Sequence, residues 1–146
     1  MPNNSVSEKP ADLNTLRLRF RGCLLGGAVG DALGGPVEFL SWPEITARFG
    51  EQGVLDYEVA WGGKGKITDD TQMTLFTAEG LLRGWVRGAM RGIAPAFAST
   101  TAHAYLRWLL TQGVRNRHGL LNTACLSGWL IQQPALFSAR ARAIPV

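Results

Sequence analysis

The stretch Leu13-Asn14-Thr15-Leu16-Arg17-Leu18-Arg19-Phe20-Arg21-Gly22-Cys23-Leu24-Leu25-Gly26-Gly27-Ala28-Val29-Gly30-Asp31-Ala32-Leu33-Gly34-Gly35 decides the fold class. Its apolar positions Leu16, Phe20, Cys23, Leu24, Ala28 and Ala32 recur at the three- and four-residue steps of a helical face. Asp12 or Asn14 is suited to cap that helix, because a short side-chain oxygen satisfies free amides of the first turn. Gly34, Gly35 and Pro36 end it. Gly22, Gly26 and Gly30 fall every fourth residue on one face, which permits close approach of a second backbone. Each such glycine costs about 1 kcal/mol relative to alanine in a helix interior, so packing or function must offset it.

Outward from this helix the pattern stays helical. A short helix is predicted over Trp42–Phe49, with Pro43 in its first turn. Residues 50–67, with Gly53, Gly62, Gly63 and Gly65, read as a mobile loop. Met73, Phe76, Gly80 and Leu81 predict a second long amphipathic helix, and Phe97, Ala104, Leu106, Trp108 and Leu109 a third over 94–110. A fourth is predicted over 120–131, closed by Pro134. No segment alternates strictly enough for a strand, so the chain is expected to be all-α, without internal repeats. Residues 1–11 read as a flexible leader, and no clear domain boundary follows it.

Composition narrows the class. With 146 residues, 46% hydrophobic and 18% charged, the chain suits one globular domain and excludes wholesale disorder. The net charge is +4, and eight arginines lie at position 83 or beyond. They are interspersed with apolar residues and form no basic block, so they read as solvated helix faces, and nucleic acid is not an expected partner. Cys23 and Cys125 are too few for a disulfide framework or a zinc site, and Cys23, within an apolar run, is expected to be a buried free thiol. No run approaches the length of a membrane span, no apolar signal core precedes Asp12, and a cytoplasmic setting is expected.

Three motifs carry chemistry. Residues 26–35, Gly-Gly-Ala-Val-Gly-Asp-Ala-Leu-Gly-Gly, superficially suggest a dinucleotide-binding loop. That motif needs a preceding strand and a following helix, whereas these glycines lie inside and at the end of a helix. Thr68-Asp69-Asp70-Thr71 offers paired carboxylates and hydroxyls, the hard oxygen donors that Mg²⁺ prefers. The same tetrapeptide also suits a plain helix N-cap. Glu38, after a glycine-rich helix end, is placed to orient a substrate or act as acid or base, or equally to sit on the surface.

Taken together, Arg21-Gly22-Cys23-Leu24-Leu25-Gly26, Gly30-Asp31-Ala32-Leu33-Gly34, Pro36-Val37-Glu38-Phe39 and Ile67-Thr68-Asp69-Asp70-Thr71-Gln72-Met73 resemble the ADP-ribosylglycohydrolases, including the dinitrogenase reductase-activating glycohydrolases. Tyr105-Leu106-Arg107-Trp108 resembles a further segment of that family. The resemblance implies an all-α hydrolase holding two Mg²⁺ ions, or Mn²⁺ in some members, and removing ADP-ribose from ADP-ribosylated proteins or small ADP-ribosyl compounds. It implies that Thr68, Asp69 and Asp70 are metal ligands and that Glu38 is the catalytic acidic residue beside the substrate. Asp31 is expected to be structural. The linkage, arginine, serine or another, stays open.

The chain departs from the family pattern toward its C-terminal side. The resemblance implies a second ligand group, Asp-x-Asp-Thr, yet no aspartate follows Asp70 and the only later acid is Glu79. The expectation is therefore that residues 12–140 are the N-terminal part of such a domain, incomplete at its C-terminal side, with 141–146 a tail divergent from the family pattern, and that the chain is inactive or impaired unless a C-terminal polypeptide complements it. The alternative is a non-catalytic binding or structural protein on the same scaffold, as some relatives are lens crystallins.

Overall fold

The computed structural model describes residues 12–114 and 126–140. The leader and tail assigned from sequence lie outside these residues. Helix α1 (Leu13–Gly34) leads through a 3-10 turn (Gly35–Val37) into α2 (Trp42–Phe49). A hairpin of β1 (Val59–Ala60) and β2 (Gly63–Lys64) follows, then α3 (Asp69–Arg91) and α4 (Phe97–Thr111). Two further 3-10 turns, Leu130–Gln132 and Pro134–Leu136, close the described chain. The all-α reading holds, with one addition. Within the predicted loop, Val59 pairs with Lys64 and Ala60 with Gly63 in a minimal antiparallel ladder, too short to alternate visibly in sequence.

Local chemistry sets the helix ends. The Asp12 side chain accepts from the backbone N–H groups of Asn14 (2.8 Å) and Thr15 (3.0 Å), which starts α1 where its apolar pattern starts. Ser41 and Glu44 form a capping box on α2, with Pro43 in the first turn. Thr68 caps α3, and Gly92 ends it in the left-handed region at φ 64°.

The core lies between α3 and α4. Phe76, Ala104, Trp108 and Leu136 are buried together, and full burial of a side chain such as Phe76 contributes about 1.5–3 kcal/mol. Glycine makes this packing close. A Cβ at Gly80 would lie 2.7 Å from Thr101 Cα, one at Gly84 2.7 Å from Thr100 Oγ1, and one at Gly88 2.9 Å from the Ile93 carbonyl oxygen. The 80-84-88 spacing thus lets α4 and its preceding turn lie directly on the α3 backbone.

Helix α1 is different. Only Ala32, near its C-terminal end, is buried, while Leu13, Leu18, Phe20 and Leu25 are exposed. A Cβ at Gly22, Gly26 or Gly30 would meet nothing within 4 Å, so no described backbone uses the close approach that these glycines allow. Cys23 is exposed for the same reason, correcting the expectation of a buried thiol.

Two further expectations change. The helix predicted over 120–131 is not formed where it can be seen: residues 126–131 contain no α-helix, and 120–125 lie outside the described residues. The cause is Glu79, whose Oε1 accepts from the backbone N–H groups of Trp129 (2.6 Å) and Leu130 (3.1 Å). Those amides satisfy a buried carboxylate instead of a helical carbonyl. Arg107, expected on a solvated face, is instead 2% exposed and paired with Glu79 at 2.8 Å.

Candidate functional site

The site forms where the end of α1 meets the start of α3. Asp31, on the last turn of α1, accepts four hydrogen bonds from the beginning of α3. The Thr68 backbone N–H (2.8 Å) and hydroxyl (2.5 Å) donate to it, as do the Thr71 backbone N–H (3.2 Å) and hydroxyl. Partial burial pushes the Asp31 carboxyl up, but the hydrogen bonds from Thr68 and Thr71 together hold it below the usual aspartate value. Asp31 is therefore a structural clasp, in line with the sequence expectation, and it stays ionised at neutral pH.

Thr68 is buried and occupied on two sides: its hydroxyl donates to Asp31 and accepts from the Asp70 backbone N–H at 3.2 Å. A hydroxyl has two lone pairs, so one acceptor position is left for a ligand. The adjacent carboxylates diverge, as successive residues on a helix must. Asp70 lines a cleft of about 540 Å³ with Asp31, Glu38, Thr71 and the glycine-rich end of α1. Asp69 lines a second cleft of about 490 Å³ with Glu38, Trp61, Trp108 and Arg140. Glu38, at the end of the 3-10 turn, borders both. The carboxylates of Glu38, Asp69 and Asp70 have no hydrogen-bond or ion-pair partner among the described residues.

The donor chemistry suits Mg²⁺, since carboxylates and a hydroxyl are hard oxygen ligands. The number does not suffice. Among the described residues no three His, Cys, Asp or Glu side chains come together as a metal-binding group. What these residues can provide is one side of a shell, built on the first turn of α3.

Gly35 joins the two clefts. A Cβ there would lie 2.5 Å from Thr68 Cγ2 and 3.0 Å from Trp61 Cη2, so a side chain would push apart the cap of α3 and the hairpin. Trp61 is itself unusual, at φ 48° beside Gly62 at φ 79°. The left-handed region costs a non-glycine residue about 1–2 kcal/mol. The Trp61 ring packs toward Gly35 and lies 5.9 Å from the Arg140 guanidinium.

Behind the clefts, Gln72 links the start of α3 to the last described segment. It is 1% exposed. Its Oε1 accepts from Trp108 Nε1 (3.2 Å) and Gln112 Nε2 (2.8 Å), and its Nε2 donates to the Ser138 carbonyl (3.1 Å).

A family model described as ADP-ribosylglycohydrolase matches residues 12–142. The chain belongs to the ADP-ribosylglycohydrolase family. A 67-residue segment, 44% of this chain, is 46% identical to an uncharacterised protein of Archaeoglobus fulgidus and covers 21% of that protein. A 62-residue segment, 39% of this chain, is 44% identical to the ADP-ribosyl-[dinitrogen reductase] glycohydrolase of Rhodospirillum rubrum, of which it covers 20%. The matched segments thus span about a fifth of each relative. No solved structure matches.

Within this family frame, the motif residues named from sequence fall into two roles. Asp31, Thr68 and Thr71 build the clasp, and Glu38, Asp69 and Asp70 are left facing the clefts. Sequence reasoning missed Trp61, Gln72, Arg140 and the Glu79–Arg107 pair. Gln72 carried a signal in its place directly after Thr68-Asp69-Asp70-Thr71, and Arg107 in the segment Tyr105-Leu106-Arg107-Trp108, but their partners lie at separations that no local pattern reports.

Proposed function

We propose that this chain carries the cleft of a hydrolase that removes ADP-ribose from modified protein side chains or from small ADP-ribosyl compounds. Family membership supports the reaction class. The observation that carries the reading for these residues is the isolation of Glu38, Asp69 and Asp70: three carboxylates without a partner among the described residues border adjoining clefts, while Thr68 and Thr71 beside them are engaged in the Asp31 clasp. Carboxylates serving only as helix caps would be bonded to backbone amides, as Asp12 is.

In this reading Thr68, Asp69 and Asp70 form part of a Mg²⁺ site, with Mn²⁺ as a substitute. The remaining ligands come from outside the described residues, from this chain or a second polypeptide. The ion, when bound, supplies charge that orients ribose hydroxyls and favours deprotonation of water. Glu38 borders both clefts, positioned to hold a ribose hydroxyl or accept a proton from water as the glycosidic bond breaks. The Asp31 clasp keeps the first turn of α3 fixed on α1, so Asp69 and Asp70 are presented in one geometry.

The test is release of ADP-ribose from ADP-ribosylated arginine by the purified, folded chain, with Mg²⁺ and with a chelator. With part of the ligand set outside the described residues, any Mg²⁺-dependent release should be weak, and it should be lost in both Asp69→Asn and Asp70→Asn. Release that survives either the chelator or both substitutions refutes the ligand assignment. A folded chain that releases nothing from arginine- or serine-linked substrate instead favours a non-catalytic member of the family.

A further inference from the structure

Helix α3 has a second face, opposite the glycines that receive α4. There Leu75, Ala78, Leu82, Trp85 and Ala89 follow one another at alternating three- and four-residue steps. That spacing is the heptad seam of a coiled coil, and it runs about 21 Å along the helix. Leu81 and Val86 flank it, and Ile93 follows the helix end. Leu81, Leu82, Trp85, Val86 and Ile93 are between 44% and 63% exposed, so no described element covers this face.

The charges of α3 keep off the seam. In its register the flanking positions, which set partner choice in coiled coils, hold Glu79, Leu81, Val86 and Gly88. Glu79 is buried against Arg107, and the space beside Gly88 is filled by Ile93 and Pro95, so neither flank exposes a charge. Arg83, Arg87 and Arg91 fall at heptad positions turned away from it. The exposed apolar residues of α1 build no such surface, because Leu18 and Phe20 alternate with Arg17, Arg19 and Arg21.

We propose that this face pairs two copies of the chain, α3 against α3 about a two-fold axis. Selecting a different partner takes flanking charges that reject the wrong helix, and here nothing rejects an identical one. The area suffices. Five side chains hiding on the order of 100 Å² each bury about 1,000 Å² over both copies, the least that a specific interface needs. A two-fold pair hides both faces at once and therefore stops at two. The seam starts at Leu75, which also lines the larger cleft, so the second copy comes to the edge of that cleft. The pairing does not depend on the hydrolase reading.

The experiment is sedimentation equilibrium of the whole chain up to about 100 μM, in low and high salt. A reversible monomer–dimer equilibrium is expected, with a dissociation constant on the order of 10 μM, and salt should barely change it because the seam carries no charge. Leu82→Ser and Trp85→Ser should each raise that constant at least about tenfold, as truncation of a central apolar anchor does. Neither should lower the melting temperature of the dilute, monomeric protein, since both side chains are exposed there. Phe20→Ser on α1 should leave the constant unchanged. A folded chain that stays monomeric, association that continues beyond two copies, or dimers that dissociate in high salt each overturn the proposal. So does a dimer that survives both α3 substitutions or is lost in Phe20→Ser.

Discussion

Two helices of this protein carry glycine at every fourth residue, and the structure uses them in opposite ways. On α3, Gly80, Gly84 and Gly88 are filled positions, with a neighbouring backbone or side chain within 3 Å of where a Cβ would stand. On α1, Gly22, Gly26 and Gly30 face nothing within 4 Å. The spacing therefore states only that a helix can be approached. Whether it is approached depends on the partner, which α4 provides for α3 through a short connection of residues 92–96. The described residues provide none for most of α1. Among the described residues the Asp31 clasp is its one hydrogen-bonded attachment to α3, and that attachment positions the candidate site.

The largest expected effect tests the closed region. Replacing Arg107 with methionine leaves the Glu79 carboxylate buried without its cation and should cost about 3–5 kcal/mol, read as the shift in denaturant midpoint. A cost below about 1 kcal/mol would mean that the 126–140 segment is not held by this pair, and the closed region would lose its anchor.

Gly80→Ala comes next. Alanine gains about 1 kcal/mol in helix propensity, but its Cβ meets the Thr101 backbone, where overpacking costs about 1–3 kcal/mol. Net destabilisation is expected in thermal melts. A stabilised variant would show that α3 and α4 can separate freely, erasing the contrast with α1.

Asp31→Asn tests the joint. A carboxamide has one acceptor oxygen where the carboxylate has two, so some of the Thr68 and Thr71 donors lose their partner, at about 1–3 kcal/mol. The pH dependence carries a sign. Because the Asp31 carboxyl titrates below its usual value in the folded protein, its contribution is fully present above the usual aspartate pKa. It is lost as pH falls through the lower, folded value. Acid unfolding of the wild type should show this loss and Asp31→Asn should not; parallel curves would remove the clasp from the account.

The smallest effect has the opposite sign. Gly26→Ala on the open stripe should stabilise the chain by about 1 kcal/mol, since the methyl group meets nothing and the helix gains propensity. Destabilisation instead would reveal that another surface packs on α1 in solution, and the two stripes would then be alike.

Much of the fold was legible in the sequence. Asp12, Leu13 and the Gly34-Gly35-Pro36 stop bracket α1, and Ser41-Trp42-Pro43-Glu44 starts α2, because caps and breakers act within one turn. Of the dual reading of Thr68-Asp69-Asp70-Thr71 as cap or ligand, the structure bears on the cap. Thr68 is the cap, and Asp69 and Asp70 are free of it. The helix over 120–131 was misread because its apolar pattern is satisfied without helix once Glu79 takes the Trp129 and Leu130 amides.

The sequence by itself determined the all-α class, the ends of the first two helices and the family, because each rests on residues adjacent along the chain. Only the tertiary structure decided which glycine stripe closes, that Asp31 clasps α3, and that Arg140 stands over Trp61 beside Asp69. The closed stripe meets residues up to 21 positions away, the clasp joins residues 37 to 40 apart and the Arg140–Trp61 contact residues 79 apart, and burial and hydrogen-bond geometry, not local pattern, select these pairings.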